Sequence, residues 1–460
     1  MTVNAWMETE TRRINGPPIA PEYLLSTEVV EDPTKWTVEQ LGVHLKNAAL
    51  VEMSTIPLYL YAGYSIKGLS YSEWSPGRGP VDDFRTIVIE EMLHLCLVRN
   101  MLVSIGQADD FKFYSQKFIP TYPSGMLQRW PPLTLSLEPL TYHLLRDIFM
   151  EVEKPQTTPD GTVPSGYEYF TLGQFYDSLR KGFDIVNAAD PNLFADTRPD
   201  LQYGTTYWNE GGGGGPVVIT QQLWGPTGDQ YILYPIGAVH KAIDIIVQQG
   251  EGIVRAGEDE SQLCQQTVNT SPANPTPGMV EFTHYAKFCR MATGLESIGI
   301  ALDQYGFPIS LPLDQAVWPV LTNPTLDMLE GSARDLAEFF NAAFCYVLAL
   351  IDEVFSTSSK DIVKNKGKTD KRYGLERTFI ASMGGLLFPI ADLLVRTPTG
   401  KNDGRTAGPP FGYYQYRPDQ GLKAQLTALA EPLLKVYPSL GGDNSVMWLL
   451  SLLPEITLAP

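Results

Sequence analysis

The 460-residue chain has few of the features that mark a secreted or membrane protein. Its four cysteines are scattered, so neither a dense disulfide framework nor a CxxC metal site is expected. The first fifteen residues are polar and charged, and no apolar run reaches the ~20 residues that span a bilayer. We therefore expect buried thiols and a soluble protein of a reducing, cytoplasmic compartment, with no membrane partner.

Basic residues are also in short supply. The chain has 34 Lys and Arg against 52 Asp and Glu, a formal net charge of −18, which argues against nucleic acid as a partner. The Gly211–Gly215 run lacks the spacing of a phosphate loop, so electrons for a redox reaction would come from a separate reductase, a small reductant or the substrate. A hydrophobic content of 43% and this length predict two or three packed units sharing a large core.

A Glu-x-x-His pattern occurs twice in apolar, helix-forming surroundings. The first copy is Glu91 and His94, and the second is Glu281 and His284. Residues three apart project from the same side of a helix, and the side that carries the first copy is otherwise hydrophobic. Either copy alone also fits a hydrogen-bonded core histidine beside a solvated glutamate. Because a buried carboxylate needs a partner and the pattern recurs, we favour a metal ion inside a helical bundle.

A lone glutamate on a preceding helix accompanies each copy. Glu52 lies in the first predicted helix, and Glu251 ends a helix predicted over 235–252; a polar loop, 253–277, then leads to the second Glu-x-x-His helix, predicted over 278–294. Four carboxylates and two imidazoles form the ligand set of a dinuclear iron centre, and their four negative charges offset two ferrous ions. The metal ligands predicted in this way are Glu52, Glu91, His94, Glu251, Glu281 and His284.

Apolar periodicity predicts a mainly α protein. Thr37 and Gln40 form a capping box that starts the first helix. We predict three parts, an N-terminal extension (1–36), a four-helix di-metal bundle with extra helices (37–295) and a C-terminal helical region packed on it (296–460). Further helices are predicted over about 136–153, 170–188, 325–356, 373–396, 421–436 and 443–453, and a small ribbon is predicted to pair 217–219 with 231–233.

Five short motifs follow one another along the chain: Glu52-x-x-Thr55-Ile56-Pro57, Glu90-Glu91-Met92-Leu93-His94, Val152-Glu153-Lys154-Pro155, Gln249-Gly250-Glu251-Gly252 and Glu281-x-x-His284-Tyr285. In this order they resemble the ferritin-like domain of the iminophenyl-pyruvate dimer synthase family, from violacein and indolocarbazole pathways. With later motifs such as Gly408-Pro409-Pro410-Phe411, the resemblance covers about residues 37–415. It implies a ferritin-like four-helix bundle, and the pathway enzymes are far longer than this chain.

Two further residues are candidates for the site. The resemblance places Glu153 before Lys-Pro at a helix end, where it could be an extra metal ligand, a base beside the metal or a helix cap. Tyr59 lies seven residues after Glu52, on nearly the same helix face two turns away, and either packs in the core or lines an oxidant or substrate pocket. We predict Tyr59 and Glu153 as catalytic residues, and expect Glu90 to point outward or to support the centre.

The leading functional interpretation is a non-haem di-iron oxidoreductase of secondary metabolism that uses dioxygen or peroxide on a small aromatic or amino-acid-derived substrate. The resemblance also implies an imine-coupling synthase and, because that family has been described with haem, an axial role for one histidine. A non-catalytic iron-binding bundle is the third interpretation. Manganese in place of iron, and a homodimer, also stay open.

Overall fold

Two long helices lie at the centre of the fold. The structure is a computed structural model that describes residues 33–67, 79–127, 129–155, 164, 169–204, 216–224, 231–254, 258–268, 281–294, 300–302, 305, 308–310, 315–359 and 371–458. Helix α1 (Val38–Tyr64) packs along α2 (Pro80–Ser104). The predicted capping box is confirmed, since the Thr37 hydroxyl accepts from the Gln40 amide at 3.3 Å and the Gln40 side chain accepts from the Thr37 amide at 2.9 Å.

Two more helices complete a four-helix bundle. Helix α4 (Leu172–Ala189) packs on α1 and on α5 (Pro235–Gly250), and α5 packs on α2, which closes the ring. Thr171 caps α4 by accepting a hydrogen bond from the Gln174 amide, and α5 begins with a proline, which needs no donor in the first turn.

Two shorter helices cover the bundle where α2 and α5 meet. Helix α3 consists of a π-helical turn, Leu144–Phe149, followed by Met150–Val152, and it packs on α7 (His284–Ala292), which also contacts α2 and α5. The predicted helix over 278–294 is wrong at its start. Thr283 is the N-cap and accepts from the Ala286 amide at 3.1 Å, so the helix begins at His284. The fourth helix of the bundle is therefore α4 rather than the helix that carries His284.

The strands are short and form two-stranded antiparallel ribbons. They pair β1 (Ser124–Gly125) with β2 (Thr134–Leu135), β3 (Gln222–Trp224) with β4 (Tyr231–Leu233), β5 (Thr267–Val268) with β6 (Glu281–Phe282), and β7 (Ile300–Leu302) with β8 (Pro308–Ser310). The predicted partner 217–219 of the second ribbon is wrong. The Ile219 backbone is instead bonded by the Gln202 side chain, and the Val217 carbonyl accepts from Asn100, so this segment has other partners.

The C-terminal helices surround one long apolar helix. Helix α8 (Gly331–Ser356) packs on α9 (Lys371–Ser382), on α10 (Phe388–Leu394) and on α11 (Leu422–Leu433). A π-helical turn, Met383–Leu387, joins α9 to α10. Helix α12 (Val446–Leu452) packs on that turn and on α11. By length and composition alone, Gly331–Ser356 and Lys371–Leu394 could cross a membrane, although no such span was predicted. The first has 78% of its apolar window buried inside the protein, as a core helix does.

Two cysteines form a disulfide. Cys264 directly follows α6 (Glu260–Leu263), Cys289 lies in α7, and their Cα atoms are 5.4 Å apart. The prediction of four thiols is therefore wrong for this pair, because the fold joins residues 25 apart that show no sequence motif. Cys96 and Cys345 are free. The cysteines consequently give no support to a reducing compartment.

The start of the described chain is anchored in the core. Most of the predicted extension, 1–32, lies outside the described residues. Trp36 is buried, with its ring 4.5 Å from that of His44, which in turn stacks on Phe175 at 4.3 Å. Burial lowers the pKa of His44 to about 3, so this imidazole is a neutral core group.

Candidate metal centre

The first three candidate ligands come from α1 and α2. Glu52, Glu91 and His94 are all buried, and ligand atoms of the three lie within 4.8 Å of one another. His94 directs Nδ1 towards Glu52 Oε2, at 3.5 Å. The Thr55 hydroxyl, one turn after Glu52 on α1, donates to Glu91 Oε2 at 2.7 Å. The packing of these two helices thus builds one metal-sized group.

A second group shares one of these carboxylates. Glu91, Glu153 and His284 form another buried set within 4.8 Å. His284 Nδ1 lies 2.9 Å from Glu91 Oε1 and 3.7 Å from Glu153 Oε2, and the two histidine rings are 5.6 Å apart. Glu91 therefore stands between two histidines, where a bridging carboxylate of a dinuclear centre would stand.

The nitrogen that faces this cluster suits a cation. His284 is fully buried, and its Nδ1 has no hydrogen bond of ordinary geometry among the described residues although two carboxylates lie close to it. A buried polar atom without such a bond is unfavourable unless another partner is supplied. A divalent cation between the imidazole and the carboxylates would supply that partner, so the residues fit a metal.

Each histidine is oriented from behind through its other nitrogen. His94 Nε2 lies 3.0 Å from Gln249 Oε1, and His284 Nε2 lies 3.1 Å from Glu90 Oε2. An Nε2–H that donates to such an oxygen leaves the lone pair on Nδ1, which is the tautomer that can bind a metal at the centre. Neither role follows from periodicity, although both residues stand beside predicted ligands in the motifs.

A buried lysine, Lys287, contacts the Glu90 carboxylate that orients His284. The Lys287 ammonium donates to Thr86 at 2.9 Å, Glu90 at 3.2 Å and Glu281 at 2.6 Å. Burial alone would lower the pKa of Lys287, but Glu90 and Glu281 raise it above its usual range. The cation therefore stays charged and compensates the carboxylate that orients His284.

Two buried tyrosines hold the carboxylates. Tyr59 donates to Glu153 Oε1 at 2.6 Å, and Tyr176, on α4, donates to Glu52 Oε1. Burial, followed by the Glu153 charge for Tyr59 and the Glu52 charge for Tyr176, raises both phenol pKa values well above 10. Both hydroxyls are therefore protonated donors at neutral pH. The fourth helix of the observed bundle, α4, therefore contributes Tyr176, which bonds a candidate ligand. The prediction instead took metal ligands from a fourth helix that carried Glu281 and His284.

The structure does not bring every predicted ligand into the two groups. Glu281 lies on β6, and its carboxylate forms an ion pair with Lys287 rather than joining either ligand group. Thr283 ends the extended segment before the helix starts, so Glu281 and His284 do not share a helix face. Glu251 follows α5 directly and is buried, but it belongs to neither group. Glu153 takes the place expected of Glu281. Gly250 approaches it so closely that a Cβ there would lie 2.9 Å from Glu153 Oε2.

The negative charge at the centre shifts the protonation of its members. Burial and the Glu153 charge raise the pKa of Glu91 to about 7. Burial lowers the pKa of both histidines, but the carboxylates outweigh it, with Glu52 raising that of His94 and Glu153, Glu90 and Glu91 that of His284. Protons therefore compensate the carboxylates in the metal-free protein, and metal ions would replace them.

We expect metal affinity to fall as the pH drops below about 7, the pKa of Glu91. Below this pKa a metal must displace the proton of Glu91, and His94 and His284, whose pKa values are also raised, must give up theirs, so affinity should fall by about tenfold per pH unit for each proton displaced. Titration of Co²⁺ against a chromophoric chelator, from about pH 8 down to about pH 5.5, measures this dependence. An affinity that stays constant over that range would contradict the assignment of Glu91.

Comparison with known proteins identifies the family. A family model described as Ferritin-like matches residues 45–293, more than half of the chain, and this range holds all the candidate ligands. The chain belongs to the ferritin-like family. The predicted fold class, a mainly α ferritin-like bundle with further helices, is thereby confirmed.

Two curated relatives extend over most of the chain. Dichlorochromopyrrolate synthase of Lentzea aerocolonigenes is 24% identical over 453 residues, covering 88% of this chain and 38% of the relative. The 2-imino-3-(indol-3-yl)propanoate dimerase of Chromobacterium violaceum is 25% identical over 405 residues, covering 81% and 34%. This ferritin-like chain therefore spans little more than a third of the length of either relative.

A solved structure is also similar. The crystal structure of a ferritin-like protein from Caulobacter vibrioides covers 82% of this chain and 99% of that protein, with a TM-score of 0.44 and 19% identity. The predicted resemblance is confirmed, since the chain matches the ferritin-like family model and is similar in sequence to the two enzymes.

Proposed function

We propose that this ferritin-like chain is a non-haem di-iron oxidoreductase acting on a small aromatic or amino-acid-derived molecule, with dioxygen or peroxide as the oxidant. The observation behind the proposal is the pair of buried carboxylate–histidine groups that share Glu91. Glu52, Glu91 and Glu153 belong to these groups and Glu251 is also buried, so the protein has carboxylates that can offset the charge of two divalent ions. When bound, the two irons would supply the redox chemistry with the oxidant.

The ligand geometry favours separate metal ions over haem. The two imidazoles lie 5.6 Å apart with Glu91 beside His284 Nδ1, and their other nitrogens contact Gln249 and Glu90. Carboxylate oxygens lie beside Nδ1 of both rings, Glu52 at 3.5 Å from His94 and Glu91 at 2.9 Å from His284, in the space that a flat macrocycle around an axial nitrogen would need. The mixture of carboxylate oxygen and imidazole nitrogen suits iron or manganese, and iron is our choice because the proposed reaction is a redox one.

The protein groups around the centre hold protons at defined atoms. The Tyr59 hydroxyl keeps its proton and donates a hydrogen bond to Glu153 Oε1, which leaves Glu153 Oε2 directed towards His284. Tyr176 and Thr55 bind Glu52 and Glu91 in the same way. We propose that Glu153 holds a metal through Oε2, because the neutral phenol of Tyr59 fixes its other oxygen and leaves Oε2 at the centre.

The name of one relative favours a second candidate reaction, the coupling of two imines of an aryl-pyruvate. One relative is named as a dimerase of a 2-imino-3-(indol-3-yl)propanoate. Oxidative coupling would join two substrate molecules and remove two electrons and two protons, which dioxygen or peroxide would accept. A non-catalytic iron-binding bundle is the third candidate, and it predicts metal without turnover.

One experiment separates the candidates. We expect protein produced with iron to contain about two irons per chain and no Soret band, and to consume dioxygen or peroxide when an aryl-pyruvate and ammonia are added. Mass spectrometry of metal and product, an absorption spectrum and an oxygen electrode measure these outcomes. A dimeric product supports coupling and an oxidised monomer supports the first candidate. Iron without consumption across a panel of aromatic amino acids and oxo acids supports the bundle, and a Soret band would overturn the di-iron assignment.

A further inference from the structure

A cavity of about 410 Å³ lies between the bundle and the C-terminal helices. Helices α1 and α2 form one wall, and α8, α9 and the π-helical turn Met383–Leu387 form the other. Proteins usually bind small molecules in clefts of ~300–1,000 Å³ lined mainly by apolar groups. This cavity has that size and character, and the metal centre does not use it.

The cavity and the metal centre lie on different faces of the same two helices. Met53 and Met92 line the cavity, and each directly follows a candidate ligand, Glu52 or Glu91. Successive residues of a helix point about 100° apart, so the cavity opens a quarter turn or more from the ligand-bearing face. It is a separate site, and its existence does not depend on the proposed metal.

Two irregular backbone segments shape this cavity. Phe411, in the Gly408–Phe411 motif, lines it with φ of 51°, which is strained for a bulky side chain, and the Phe340 and Phe344 rings pack on it at 5.0 and 5.3 Å. The π-helical turn contributes Met383, Gly384 and Leu387 to the lining. Strained residues and π-helical turns are concentrated at functional sites in proteins. Their convergence on one cavity indicates a binding site rather than a packing defect.

The lining offers almost nothing to a charged or strongly polar ligand. Among the described residues that line the cavity, the cationic side chain is Arg85, which pairs with Asp82. The remaining polar atoms belong to Tyr64, Tyr203 and the weakly polar thiol of Cys96, among methionines, phenylalanines and aliphatic residues. A charge buried without a partner is strongly unfavourable, so an ionised ligand would be rejected.

We propose that this cavity binds an uncharged, apolar small molecule. An apolar cavity of ~150 Å³ holds one benzene, so about 410 Å³ takes a molecule the size of two to three such rings. Burying that surface supplies the affinity, at roughly 25 cal/mol per Å² of apolar area. Both a fused aromatic ring system and a medium-length aliphatic chain have this chemistry.

The direct test uses 1-aminoanthracene, an uncharged three-ring probe that fluoresces in apolar surroundings. We expect saturable binding at one site per chain, displaced by naphthalene if rings are preferred or by decanol if chains are. Decanoate should displace it at least about tenfold less well than decanol. Equal displacement by decanoate, or no saturable binding, would overturn the proposal.

A matched pair of glycine variants locates the site. Gly384 lines the cavity and is exposed, and Gly374 lies outside it on the same helical segment; a Cβ at either would meet no atom within 4 Å. Gly384→Trp places an indole at the cavity edge and should weaken probe binding at least about tenfold, whereas Gly374→Trp should leave it unchanged. Val347→Phe fills the cavity from α8 and should also weaken probe binding, so the test does not depend on the folding of Gly384→Trp alone. Equal binding by all three would overturn the location.

The metal centre provides an internal control. Glu91→Ala should bind the probe as the unmodified chain does, because Glu91 does not line the cavity. Loss of probe binding in this variant, with circular dichroism unchanged, would show that the probe occupies the metal centre and would contradict the proposal without affecting the proposed function.

Discussion

Replacing Glu91 by alanine should remove both ions of the proposed di-metal centre, whereas the same change at Glu281 should leave the metal content unchanged. Glu91 is the one residue shared by the two ligand groups, with Oε1 2.9 Å from His284 Nδ1 and a place in the group of Glu52 and His94. Loss of a supporting contact alone weakens metal affinity by roughly 10- to 100-fold. Loss of a bridging ligand should exceed that at both positions.

Glu281 is the matched control because it differs from Glu91 in geometry and not in chemistry. Both are glutamates three residues before a histidine, but Glu281 lies on β6 with its carboxylate 2.6 Å from the Lys287 ammonium. Metal analysis by mass spectrometry and Co²⁺ titration of Glu91→Ala, Glu153→Ala and Glu281→Ala give the comparison. We expect none, about one and about two ions per chain, respectively. If Glu281→Ala lost an ion and Glu153→Ala did not, the Glu-x-x-His ligand set would be correct and the structural one wrong.

Folding of the variant is not expected to limit this test. Glu91 is buried among carboxylates, and that burial raises its pKa to about 7. Its charge therefore destabilises the metal-free fold increasingly from the ordinary carboxyl pKa up to about pH 7 and fully above it, and removing that charge offsets the loss of its contacts with Thr55 and His284. Thermal unfolding after chelation, compared with the unmodified chain treated in the same way, measures this directly.

The half of the site that lies on α1 and α2 was predictable because helical periodicity alone determines it. Glu91 and His94 lie on one uninterrupted helix, and Glu52 lies on the helix that precedes it in the chain. On regular helices, spacing in the sequence gives direction in space. The structure brings these three residues together as that rule predicts.

The other half was not predictable in this way because a helix boundary changes the rule. Thr283 lies between Glu281 and His284 and caps the helix, so the two residues belong to different elements and do not share a face. Threonine is a common N-cap, and the pattern Thr283-x-x-Ala286 gave too weak a signal against the recurring Glu-x-x-His. Glu153 lies beside His284, where Glu281 was predicted, and it follows a helix end, so helical periodicity could not predict its direction.

Helical periodicity gives no signal for residues that act through tertiary contacts. Tyr176 reaches Glu52 across 124 residues, and Gln249 reaches His94 across 155. The Cys264–Cys289 disulfide belongs to the same class, since only the folded arrangement of α6 and α7 brings the two together. The sequence therefore predicts the types of group present at this centre better than it predicts which helix supplies each one.

Replacing Lys287 by methionine should destabilise the metal-free protein by about 3–5 kcal/mol, since removal of one partner leaves buried charges uncompensated. The lysine is 1% exposed, and its ammonium contacts Glu90 and Glu281, whose side chains are 1% and 11% exposed. Methionine keeps the volume of the aliphatic stem, so the expected loss comes from the two carboxylates and not from a cavity. Urea unfolding of chelator-treated protein measures the change.

Lys154→Met is the matched control for that measurement. Lys154 also pairs with a glutamate, Glu151, at 2.9 Å, but both side chains are about a third or more exposed, so the pair should contribute ~0–1 kcal/mol. Lys287→Met should in addition weaken metal binding in the group that contains His284 by roughly 10- to 100-fold, because Glu90 no longer has a fixed position from which to orient the imidazole. A loss of stability equal to that of the control, with both metal affinities unchanged, would mean that Lys287 neither compensates these carboxylates nor supports the centre.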